Sequence, residues 1–258
     1  MMVMVLVGIL SVLGIDSVSD TLDELRFEQT IQEMVEIRKG MIGDINQRNG
    51  NARSDFGYLG DVGFVPTNAI GIAGLTSIPG GITAWSIDAT ANYGIGWNGP
   101  YVELSNATGA ADYLTDAWGN AYTYASAART LTSLGADGAA GGTGYDADIT
   151  LSFTANDIGT TVHGFILDSA NAFESFTGTA EVRLYTADTT GALSTRTFSV
   201  LPAFFGYFFF ANVPLGKRSI SIFVPDFATN PTPVLGPIVF TVDKPQYVID
   251  TYYTNVNP

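Results

Sequence analysis

The chain has 258 residues, with 11 basic against 25 acidic side chains and a net charge of -14; so acidic a surface repels nucleic acid, and no Lys/Arg cluster breaks the trend. That length holds one large domain or two modest ones plus an extension, and a composition that is 46% hydrophobic and 14% charged argues against disorder. Cysteine is absent, which excludes disulfides, thiolate metal sites and cysteine nucleophiles and leaves a bound divalent cation as one staple for an extracellular fold.

Residues 1–15 read MMVMVLVGILSVLGI, without a charge, until Asp16 ends the run. Fifteen apolar residues fall short of the roughly 20 that span a bilayer. A cleaved secretory signal would need basic residues before the run and a small-residue cleavage site after it, and the sequence has neither. From Ser17 to about Ile45 the helical character continues, with no proline and no glycine before Gly40. Phe27, Ile31, Met34, Met41 and Ile45 recur at helical spacing, while Glu24, Glu28, Glu33, Glu36 and Arg38 occupy other faces. The reading is one helix of about 40 residues, roughly 60 Å long. Its first third is apolar all round and must meet lipid or copies of itself; the alternative is a buried core helix.

MVMVLVGILSVLGI resembles the stretch that follows the invariant glutamate in type IV pilins and type II secretion pseudopilins. The resemblance implies that about five residues, the glutamate among them, precede Met1, which would bring the apolar stretch to about 20 residues.

Past Ile45 the helical period stops. Turn signals follow at Asn49-Gly50, Pro79-Gly80-Gly81 and Asn98-Gly99-Pro100, with aromatic residues among them. This predicts a loop-rich region with short strands that covers the amphipathic part of the helix. Alternation at Ala121–Tyr124 and Leu131–Leu134 fits two strands of a small antiparallel sheet.

The segment from Asp116 to Ile149, DAWGNAYTYASAARTLTSLGADGAAGGTGYDADI, is similar to the C-terminal region of the type II secretion major pseudopilin (G-type) over about 34 positions. In that family the loop binds calcium. The resemblance therefore implies ligands at the Leu134 carbonyl, Asp137, the Ala139 carbonyl, Asp146 and Asp148. Oxygen donors suit this hard cation, which takes about six to eight of them. Gly144 departs from members that carry a further acid there. Read without the resemblance, the same stretch is a glycine turn with solvated Asp residues. An EF-hand fails because Ala139 and Gly141 replace its inner acids. One calcium nonapeptide, Gly141–Asp146, has no second copy to stack on, and a phosphate loop lacks its lysine.

About a hundred further residues follow, with strands expected near Thr161–Leu167, Ala180–Tyr185, Arg196–Leu201, Gly206–Ala211, Ser219–Val224 and Ile238–Val242. Such spacing fits a β-sandwich. Val162–Asp168, Ala180–Tyr185 and Phe208–Lys217 resemble the carboxypeptidase-regulatory, transthyretin-like domains, with Phe208, Phe210, Asn212, Val213, Pro214 and Gly216 in register. In the run from Phe204 to Phe210, alternation puts Phe208 and Phe210 inside and Tyr207 and Phe209 outside; the outer pair reads either as an interface or as ordinary packing.

No catalytic constellation emerges. His163, the only histidine, sits in an expected strand as a packed or surface residue. G-x-S-x-G, H-E-x-x-H and a Rossmann glycine fingerprint are all missing. Asp146 and Asp148, two apart in a glycine loop, would share a cation more readily than act as glycosidase acids. Asn106-Ala107-Thr108 fits a glycosylation acceptor.

The expected fold is α+β: a long N-terminal helix (1–45), a pilin-like head with a small antiparallel sheet and calcium loop (46–155), and an all-β, Ig/transthyretin-like sandwich (156–258). The expected function is non-enzymatic: a structural subunit of a helical extracellular filament, held in the inner membrane before assembly. Its partners are copies of itself and the pilus or secretion assembly machinery, with no nucleic acid. The alternatives are a minor pseudopilin of a type II secretion machine and an adhesin using the C-terminal β-module.

Overall fold

The structure, a computed structural model, describes residues 2–102, 112–168, 180–200, 206–224, 228–243, 247–248 and 252–254. Asn106-Ala107-Thr108, Phe204 and Phe205 lie outside the described residues.

Helix α1 (Met2–Ile42) runs 41 residues, about 60 Å at about 1.5 Å per residue. From Ser17 on no proline or glycine falls in it before Gly40, and it ends where Gly43 donates back to the Lys39 carbonyl at 2.6 Å. The guanidinium of Arg53 caps this end, donating to the carbonyls of Ile42 and Asp55. The buried stripe is Thr30, Met34, Ile37 and Met41, continued by Ile42. Two expected core positions are corrected here: Ile31 and Ile45 are 38% and 43% exposed. Ile37 takes the place of Ile31 because the stripe follows a strict three-four spacing from Thr30, and Ile45 lies past the helix end.

A short β1–β2 pair (Arg48–Asn49, Ala52–Arg53) leads into helix α2 (Gly57–Val62) and then the hairpin β3–β4 (Ser86–Asp88, Tyr93–Ile95). A three-stranded antiparallel sheet follows, β5–β6–β7 (Thr123–Ala125, Thr130–Ser133, Ile149–Ser152). Strands β5 and β6 lie where alternation placed them. The third strand, β7, begins at the isoleucine of DADI and pairs Leu151 with Leu131.

The C-terminal region adds β8 (Gly159–Asp168), β9 (Ala180–Ala187), β10 (Leu193–Val200), β11 (Tyr207–Pro214), β12 (Gly216–Phe223), β13 (Leu235–Val242), β14 (Tyr247–Val248) and β15 (Tyr252–Thr254). One sheet is ordered β10-β9-β12-β13; the other is β11-β8-β14, with β15 also on β8. All pairs are antiparallel except those of β14 and β15 with β8. The six expected strands are all present. Phe208 and Phe210 are buried and Phe209 is 44% exposed, as strand alternation requires. The architecture is thus α+β with a β-rich C-terminal region.

A single apolar cluster runs through these parts. It takes Met34, Ile37 and Met41 from α1, Tyr58, Leu59 and Val62 from α2, and Leu131 from the small sheet. From the C-terminal sheets it takes Val162, Ile166, Val182, Leu184, Phe208 and Ile220. A second cluster seats Tyr93 and Ile95 of the β3–β4 hairpin on Tyr185 of β9, where the Tyr93 hydroxyl donates to the Tyr185 carbonyl at 3.0 Å. Arg218 of β12, 1% exposed, joins the same junction. Its guanidinium donates to the Gly60 carbonyl of α2 at 3.0 Å and to the carbonyls of Pro214, Leu215 and Lys217 at 3.2, 2.8 and 2.5 Å. Burial depresses its pKa, while Tyr93 and Asp61 act in the opposite sense. Gly216 is required beside it: a Cβ there would sit 2.8 Å from the Gly60 Cα.

Candidate functional site

Two features carry the functional expectations: the free part of α1 and the glycine loop after β6. Along α1 the side chains of Val18, Leu22 and Leu25 are 60%, 47% and 57% exposed. Their three-four spacing puts them on one side of the helix. They continue the uncharged run of residues 1–15 toward the docked half. No helix among the described residues is long and apolar enough to cross a membrane.

Polar contacts hold the lower half of α1 to the segment 116–145. The Trp118 indole donates to Asp23 Oδ1 at 3.0 Å, the Tyr122 hydroxyl donates to Glu33 Oε2 at 2.9 Å, and the Ala117 amide donates to Thr30 Oγ1 at 3.2 Å. The Trp118 bond, with Arg26 alongside, pulls the Asp23 pKa down. The Phe27 and Tyr145 rings meet edge to face at 6.2 Å. Helix and loop are therefore in direct contact.

Asp116 anchors the loop. Its buried carboxylate accepts from the Trp118 and Asn120 amides at 3.1 and 2.8 Å and from the Ser133 hydroxyl at 2.5 Å. Asn120 in turn donates to the Gly135 carbonyl at 2.7 Å. The DAWGN stretch is thus a scaffold for the loop rather than part of its outer surface. Its role was hidden in the sequence, because only the fold brings Ser133 and Gly135 against it.

Within the loop the Ala136 amide donates to the Tyr145 carbonyl at 2.8 Å and the Asp148 amide to the Gly141 carbonyl at 3.1 Å, which closes the two arms on each other. Gly142 sits at φ +78°, where a Cβ would fall 2.3 Å from the Asp146 carbonyl oxygen; no other residue fits. Asp137, Asp146 and Asp148 face solvent, as does Ala139, while Leu134 is half-buried. The Asp137 carboxylate accepts one bond, from the Ala139 amide at 2.9 Å. Among the described residues no three His, Cys, Asp or Glu side chains converge as a metal-holding group, so the three aspartates share a loop without sharing a point. The donor chemistry nevertheless suits calcium: three carboxylates and the Leu134 and Ala139 carbonyls are all hard oxygen ligands.

His163 lies on β8 opposite Phe209 and packs its ring 6.2 Å from Tyr207.

No curated protein and no solved structure matches the chain. Residues 57–152, from α2 to the end of β7 and including the whole glycine loop, match the family model for the type II secretion system (T2SS), protein G.

Proposed function

We propose that the chain is a non-enzymatic structural subunit of a type IV pilus-like filament or pseudopilus that polymerises through α1. One observation carries this: the helix extends well beyond the surface that docks it, and Val18, Leu22 and Leu25 are left uncovered next to the uncharged run of residues 1–15. Burial of that run offers on the order of 10 kcal/mol at about 0.8 kcal/mol per methylene, before entropic losses. The match of residues 57–152 to protein G supports a pseudopilin-like role with secretion-machinery partners, and assembly from the inner membrane follows from it.

In this reading residues 1–45 assemble, 46–155 form the head, and 156–258 form an outward-facing transthyretin-like sandwich. Calcium at Leu134, Asp137, Ala139, Asp146 and Asp148 is structural. It would draw the solvated aspartates together and stiffen the loop that Tyr145 presses against Phe27. The test is electron microscopy of sheared surface material from cells expressing the chain without residues 1–15. Filaments should vanish, and their persistence would reject the reading. Copy number separates the second reading, a minor pseudopilin: a piston subunit stays periplasmic, whereas a major one dominates the sheared fraction.

A further inference from the structure

Apart from the loop and the helix, the molecule has a polar cleft of about 620 Å³ where α2, the β3–β4 hairpin and strands β12–β13 meet. This size falls within the range of small-molecule sites, roughly 300–1,000 Å³. Trp85 forms one wall. The Cζ2–Cε2–Nε1 edge of its indole packs against Gly94, where a Cβ would come within 2.3–2.4 Å of those atoms, and the residue remains 42% exposed. That edge is held by the hairpin, and the exposed remainder of the ring borders the cleft.

Asp61 and Asn98 line the same cleft. The Asp61 carboxylate accepts from the Tyr101 hydroxyl at 3.2 Å and from the Asn98 side chain. The Asn98 amide N–H donates to the same Tyr101 hydroxyl at 2.8 Å. A carboxylate has about four acceptor positions, so two remain. Lys217 and its cross-strand partner Thr241 close the third side. Two other charged residues at the rim are already engaged: Asp55 accepts from the Asp44 and Gly57 amides, and Arg53 caps α1.

We propose that this cleft binds a neutral pyranose sugar, stacked on the exposed part of the Trp85 ring and hydrogen-bonded by Asp61, Asn98 and Lys217. The wall chemistry selects this class. An acceptor, Asp61, and two donors, Asn98 and Lys217, share the lining with an exposed aromatic ring, which matches a ligand that carries hydroxyls at its edge and C–H groups on its faces. The two carboxylates of the lining, Asp55 and Asp61, are matched by Arg53 and Lys217, so the cleft has no excess positive charge to hold an anion against the chain's net charge of -14. A purely apolar ligand would leave those carboxylates desolvated. Asp61 is already partly desolvated, with its pKa raised to about 6 chiefly by burial. Because Trp85, Asp61 and Asn98 precede the small sheet while Lys217 and Thr241 belong to β12–β13, the site exists only in the whole chain. It does not depend on filament assembly.

The test is titration of the full chain, in a detergent without a sugar headgroup, with methyl glycosides of glucose, galactose, mannose and N-acetylglucosamine and with glucuronate. Saturation-transfer NMR gives the readout. At least one neutral glycoside should bind with Kd below about 10 mM, and glucuronate at least tenfold more weakly. Trp85→Ala should weaken the neutral sugar at least tenfold, with filament formation unchanged. Should Trp85→Ala lower the melting temperature, Trp85→Phe and the exposed Asn98→Ala decide instead, each expected to lose severalfold. Absence of binding by all four neutral probes, equal binding of glucuronate, or unchanged affinity in the folded variants would overturn the proposal.

Discussion

Replacing Asp61 by Asn should stabilise the protein at neutral pH and do little for it in acid. Burial is the main cause that raises the Asp61 pKa from 3.8 to about 6, and the Tyr101 bond and the charge of Arg218 only partly offset it. The folded protein thus holds this proton more tightly than the unfolded chain does. Between those two pKa values the native state binds more protons, so stability falls as pH rises through the window and the loss is complete above about pH 6. Two units at about 1.4 kcal/mol each give ~2–3 kcal/mol. An amide keeps the shape and an acceptor for Tyr101 but has no proton to lose. The stability difference between Asp61→Asn and the parent should therefore be flat below about pH 4 and grow by ~2–3 kcal/mol by pH 7. Urea denaturation of both proteins at half-unit pH steps measures it, and taking the difference cancels every other titrating group. A difference that stays constant from acid to neutral pH would refute the reasoning, because an ionised Asp61 would then cost nothing to bury.

Arg218→Met should cost roughly 3–5 kcal/mol, because it strands the buried carbonyls that the guanidinium serves; thermal unfolding reads the loss, and Arg218→Lys should not restore it, since one ammonium cannot fork to both Gly60 and Leu215. Leu22→Glu should abolish sheared filaments while leaving the melting temperature of the purified chain within about a degree, as an exposed side chain predicts. Calcium at about a hundredfold excess over its Kd should raise stability by roughly 2.7 kcal/mol, and chelation should remove the gain; Asp137→Ala with Asp148→Ala should erase the response without unfolding the calcium-free protein. Gly142→Ala should impair the same response, because its Cβ would collide with the Asp146 carbonyl oxygen.

Much of this arrangement was legible beforehand because it rests on local periodicity. The uninterrupted helix, the six C-terminal strands and the inward alternation of Phe208 and Phe210 all follow from spacing alone. What escaped was settled by contacts distant in sequence. Ile31 and Ile45 have the right chemistry for the core, yet the face that docks is decided by where Ala117, Trp118 and Tyr122 meet α1. Strand β7, which starts at the last residue of DADI, was hidden because its pairing partner, β6, comes before the glycine loop. The cleft at Trp85 was illegible for the same reason: residues 61, 85, 98 and 217 have no shared motif, and only the packing of the hairpin onto the C-terminal sheets makes them neighbours.

The shared core and the Arg218 clamp leave no slack between the middle of the chain and its last hundred residues. A load applied to the outermost strands cannot be absorbed by a swinging joint. It passes from β12 through Gly60 and α2 into the packing around Met34 and Ile37, so the long rod feels whatever tugs on the far end.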